Sequence, residues 1–163
     1  MAKSPYDIAP DASFAQAART SLHQQLEELL RNLPGTRAGE NVEALHDMRV
    51  ASRRLRSALS VFAASYPARQ FLPLEKQVAK ITDALGAVRD ADVLIEFMQA
   101  QRKSAPESAR VGLDAFLEHL HKGRDAERVH LVRALDVLEK SRFRKDFASM
   151  LDAPVSPDEV SHG

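Results

Sequence analysis

At 163 residues, 44% of them apolar and 28% charged, the chain has material for one sizeable core and too little for two independent ones. Lysine plus arginine balances aspartate plus glutamate at 23 each, so net charge predicts no affinity for nucleic acid or any other polyanion, and the distribution of charge has to carry a functional argument. No run approaches the roughly 20 apolar residues of a membrane helix, and the lack of cysteine excludes disulfides and thiolate metal sites. The N-terminal segment has no secretory apolar stretch, so the cytoplasm is the expected compartment.

No segment of useful length alternates apolar and polar residues, and the supply of Ala, Leu, Arg, Glu and Gln favours helix. A first helix is expected from Asp11 or Ser13, a capping residue, to Asn32, with Phe14, Ala17, Leu22, Leu26 and Leu29 or Leu30 at helical spacing and Leu33-Pro34-Gly35 as its stop. A second runs from Asn41 to Ser65-Tyr66-Pro67, because proline disfavours helix in the residue before it. The third begins after Pro67 or Pro73 and carries Leu74, Val78, Ile81 and Leu85 before meeting Gly86, where a bend or a close helix contact is expected. Residues 101–106 read as a loop, Glu107 to Lys140 as a fourth long helix, and Arg142 to Leu151 as a short one. Short connections between long amphipathic helices make neighbours antiparallel. The expected fold is an all-α antiparallel bundle of four long helices plus a short C-terminal helix over residues 11–151, preceded by an extension over 1–10 and followed by a disordered tail over 152–163.

One segment breaks the charge balance. Between His46 and Arg56 stand Arg49, Arg53, Arg54 and Arg56 against the single Asp47. At about 100° per residue, His46, Arg49, Arg53 and Arg56 fall within roughly 80° of arc. The apolar Leu45, Met48, Leu55, Leu59 and Phe62 occupy a separate arc centred about 110° away. The helix can therefore pack with one flank and hold a basic stripe on the other. The stripe spans roughly 15 Å at 1.5 Å per residue, a length suited to an extended anion. Like charges three or four residues apart destabilise a helix, so a partner is expected. Arginine's planar fork fits phosphate and stays charged, and a bound polyanion would favour the charged form of His46. The alternative is a solvated face whose arginines pair with Asp83, Asp90 or Asp92.

Two segments taken together, LHDMRVASRRLRSALSVF over residues 45–62 and LGAVRDADVLIEFM over 85–98, resemble the signature helices of the CHAD family, the conserved histidine alpha-helical domain. Ser141-Arg142-Phe143-Arg144 is similar to the stretch that closes the fourth helix in that family. The resemblance covers roughly residues 11–151. It implies a helical bundle that binds inorganic polyphosphate along a basic channel, without catalysis or cofactor. His46 takes the place of the signature histidine, and Arg49, Arg53 and Arg56 follow as ligand residues. Lys80, Arg124 and Arg128, basic positions on the third and fourth helices, are added as residues facing the same channel. Arg89, beside Asp90 and Asp92, matches a motif position and serves either the ligand or an interhelical ion pair. Association with polyphosphate granules follows from the same resemblance. Members usually carry two related halves and this sequence holds only the first, so it is either a piece of a longer chain or a short form whose channel a homodimer would complete.

His119 and His121, two residues apart on a helix, diverge by about 160° and cannot share a metal. The acids Asp83, Asp90 and Asp92 come with no nucleophile and no glycine-rich phosphate loop, so neither catalysis nor a metal site is expected. Two other functions use the same arginines. A nucleic-acid-binding helical module should show a wider positive surface and more stacking aromatics than two tyrosines and seven phenylalanines without tryptophan, and net neutrality counts against it too. An accessory subunit of a phosphohydrolase would pass its ligand to a partner's active site.

Overall fold

The computed structural model describes residues 8–153, so residues 1–7 of the expected extension and 154–163 of the expected tail lie outside the described residues. Six α-helices follow in order: α1 (Phe14–Arg31), α2 (Leu33–Ala38), α3 (Val42–Phe62), α4 (Ala68–Ser104), α5 (Glu107–Lys140) and α6 (Phe143–Asp152), with a single 3₁₀ turn at Ala63–Ser65. The all-α bundle is as expected. α1, α3, α4 and α5 are its four long helices and α6 the short C-terminal one. Local chemistry sets the starts. Ser13 and Gln16 close a capping box, each side chain accepting the other's backbone N–H. Asn41 opens α3 by accepting the N–H of Glu43 at 2.8 Å.

Two features differ from the expectation. Pro34 does not stop helix formation; it lies in the first turn of α2, where its missing N–H costs nothing. That short helix ends at Gly39, whose φ of 72° is the left-handed conformation glycine tolerates. Of the two starts expected for the third long helix, Pro67 is the one used: α4 begins at Ala68, and Pro73 lies inside it near its N-terminal end. Residues 101–104 are the last of α4, which leaves only Ala105-Pro106 to connect it to α5.

α4 is the hub, packing against α5, α3 and α6, while α1 covers another side of α3 and α2 touches both α3 and α5. Its buried residues Phe71, Leu74, Val78, Ile81, Leu85, Val88, Asp92 and Ile95 alternate in steps of three and four, the pattern of a coiled-coil seam. α5 answers with Leu117, Leu131, Leu135 and Leu138, and its half-buried Leu113, Leu120, Arg124 and Arg128 fall in steps of three or four on the same face. Antiparallel register is visible in two ion pairs. Moving back along α4 from Arg102 to Asp92 moves the partner forward along α5 from Asp114 to Arg124. α4 rises about 55 Å over its length and α3 only about 31 Å. The main core takes α4 residues from Phe71 to Val88 and α5 residues from Leu131 to Leu138, so the rest of the α4–α5 hairpin extends past it, with Ile95 and Leu117 buried outside that core.

Candidate functional site

On α3 the residues Leu45, Met48, Leu55, Leu59 and Phe62 are buried, together with Ala51 and Ser52. Burying that arc turns the basic arc outward. His46, Arg53 and Arg56 are exposed and Arg49 is half-buried. Three of the four stripe residues meet in one place. Arg49, Arg53 and Arg56, with Ser57 and Ser60, form one wall of an open groove of about 680 Å³, and α4 supplies the other with Thr82, Asp83, Gly86, Ala87 and Asp90.

Gly86 accounts for part of the groove's width. A Cβ added there would meet nothing within 4 Å, so the glycine marks open space and not the close helix contact that its place in the sequence suggests. α4 runs through it without interruption. With Ala87 beside it, the α4 wall is low opposite the arginines.

The electrostatics are lopsided. Arg56 Nη1 lies 3.6 Å from Asp83 Oδ1, with both side chains more than half exposed, and such loose surface pairs contribute little. Among the described residues neither Arg49 nor Arg53 has an ion-pair partner. The groove thus holds two arginines without an acid and a third that is weakly held, facing two aspartates.

The other predicted site residues are distributed differently. His46 lies one turn before Arg49 on the same face, outside the groove lining. Lys80 is exposed on α4, one turn before Asp83, on the side of the helix that carries Asp83 and Ala87. Arg89 is mostly buried and its Nη1 lies 3.6 Å from Glu96 Oε1, so its ion pair lies within α4 and not between helices. Arg124 Nε donates to Asp92 Oδ1 at 2.8 Å, with both side chains largely buried. Arg128 donates to the carbonyl oxygens of Thr36 (3.3 Å) and Arg37 (2.6 Å). It thereby satisfies the last carbonyls of α2, and any Cβ at Gly39 would collide with its guanidinium. Both α5 arginines are engaged by the scaffold and neither lines the groove.

Sequence reasoning passed over Arg37. Its guanidinium bonds Asp136 at 2.6 Å and also Glu139, tying α2 to α5. The Asp136 hydrogen bond raises the arginine's pKa above its ordinary value, and the same bond holds the Asp136 carboxyl below its own. A lone arginine on a short segment gives no periodic signal by which to find such a role.

The chain spans only 27% of the length of the curated relatives it matches, both described as uncharacterized proteins of Mycobacterium tuberculosis. Rv2226 of strain H37Rv is 29% identical over 152 residues, 87% of this chain, and MT2285 of strain CDC 1551 is 28% identical over the same span. The family model described as CHAD domain matches residues 20–162. That match takes in the arginine-bearing α3, the LGAVRDADV segment of α4 and the α5–α6 junction in one colinear run, and the chain belongs to the CHAD domain family.

Proposed function

We propose that this chain binds inorganic polyphosphate without turning it over, laying the anion along the α3–α4 groove against Arg49, Arg53 and Arg56. The observation that supports this best is the convergence of those three arginines on one open groove in a CHAD family chain. Guanidinium forks bind phosphate oxygens in pairs and keep their charge at any physiological pH, and a stripe of roughly 15 Å suits several successive phosphates better than one. His46 and Lys80 extend the path beyond the groove lining. Arg89, Arg124 and Arg128 serve the scaffold, since each already has a partner within the chain. In this reading the groove is one half of a channel that a second copy completes about a two-fold axis, and the ligand is met in the cytoplasm or at polyphosphate granules.

Calorimetric titration with long-chain polyphosphate, using duplex DNA and orthophosphate as comparison ligands, tests the reading. Polyphosphate should bind far more tightly than either. Arg53→Ala and Arg56→Ala should each weaken it about tenfold, the loss of one charge-assisted contact, with helicity unchanged. Equal affinity for DNA would favour a nucleic-acid module, release of orthophosphate would establish turnover, and unchanged binding by both variants would remove the groove from the account.

A further inference from the structure

The densest run of positive charge in the described chain is not the groove. It is the junction of α5 and α6, where Lys140, Arg142, Arg144 and Lys145 fall within six residues with no acid among them. The turn that carries them is tied down by side-chain hydrogen bonds. Ser141 Oγ donates to the Leu138 carbonyl oxygen at 3.2 Å, accepts the Phe143 N–H at 3.3 Å and is reached by Gln77 Nε2 of α4 at 3.2 Å. Phe143 and Phe147 are fully buried with their rings 5.6 Å apart. That anchor drives the intervening residues outward, and all four cations are exposed.

The four cations line one cavity of about 620 Å³ against an apolar back wall of Leu30, Leu33 and Pro34. The single carboxylate in its lining, Glu139, is taken by Arg37. Among the described residues Arg142 has only Asp146 at 3.9 Å, and Lys140, Arg144 and Lys145 make no ion pair. Concentrating four like charges on one turn raises their mutual repulsion, and an anion bound there would relieve it. The α3–α4 groove, by comparison, sets three arginines against two aspartates.

We propose that this cavity is a second anion site, separate from the groove, that takes the multiply charged terminal phosphoryl group of a phosphoanhydride. A compact cluster around one cavity suits a chain end, which carries more charge and more free oxygens than an internal phosphate, whereas the stripe on α3 suits the chain's length. A free polyphosphate end and the triphosphate of a nucleotide both present this group. The inference does not depend on the groove reading.

The test is an amide-resolved NMR titration of the full chain with inorganic tripolyphosphate, and in parallel with a nucleoside triphosphate. Wild type should show saturable shifts at residues 140–146. Arg144→Ala combined with Lys145→Ala should weaken that saturation about tenfold or more, and Lys140→Gln should weaken it independently. Arg53→Ala combined with Arg56→Ala should leave it in place. Equal effects for both ligands support recognition of the terminal group itself, and effects for tripolyphosphate alone support free polyphosphate as the source. Absence of saturable shifts at 140–146, or unchanged affinity in folded junction variants, would overturn the proposal. Shifts at the junction without shifts along α3 would leave it standing while removing the groove reading.

Discussion

At the scale of single residues, Gly86 separates stability from binding. A helix-interior glycine costs roughly 1 kcal/mol relative to alanine, and the space around it is open. Gly86→Ala should therefore raise the melting temperature and leave polyphosphate affinity nearly unchanged. Gly86→Leu should keep the helical gain, yet put a side chain into the groove opposite the arginines and weaken binding. A thermal melt and a titration on the same two variants check both halves. The stripe itself was legible in the sequence, because Arg49, Arg53 and Arg56 sit on one helix and helical spacing alone puts them on one face. Arg124 and Arg128 were legible only as neighbours one turn apart. Their partners, an aspartate 32 residues back and the carbonyls of α2, are set by tertiary packing, which spacing along one helix does not encode.

At the scale of elements, the α4–α5 hairpin contains a polar layer within an apolar seam. Asp92 takes a seam position between Val88 and Ile95, and Arg124 meets it from the corresponding face of α5. Among the described residues Asp92 Oδ2 has no hydrogen-bond partner, so the pair is incompletely satisfied, and buried pairs of this kind set register more than they stabilise. Arg124→Leu alone, which strands the carboxylate, should destabilise the chain by roughly 3 kcal/mol. Adding Asp92→Leu should restore most or all of that, as denaturant melts of the two variants would show. Continued polyphosphate binding by the double variant would fit the scaffold role of Arg124; lost binding in a stable double variant would return Arg124 to the ligand site. The α2–α5 tie predicts a pH effect. The Asp136 and Asp114 carboxyls are held below their ordinary 3.8, first by hydrogen bonds from Arg37 and Arg102. Each pair's stabilisation is present above that value and lost as pH falls through the lower folded-state value. The melting temperature should drop below about pH 4, and drop less steeply in Asp136→Asn. The long helices and most of their ends were readable from apolar spacing and from capping and proline signals, Glu107–Lys140 among them, whereas the six-residue α2 is too short to leave a periodic signal. Pro34 read as part of a stop because proline breaks helix interiors, and it lies in the first turn of α2, where that cost is small.

At the scale of the molecule, a chain with as many acids as bases interacts with anions only through how it sorts them, and α3 and the α5–α6 junction are where the sorting is most uneven. Sorting of this kind leaves a signature in salt dependence. If polyphosphate condenses counterions as a single-stranded nucleic acid does, each phosphate neutralised contributes about −0.7 to the slope of log affinity against log salt. One groove with three arginines should then give a slope of about −2, and a channel built from two copies about −4. Light scattering on the same sample supplies the mass. A dimer with the steeper slope would show that the two copies share one ligand, while a dimer with the shallower slope would mean that its two grooves work separately. A monomer that binds with the shallow slope at micromolar concentration would remove the two-copy channel and leave the single groove as the site for the length of the anion.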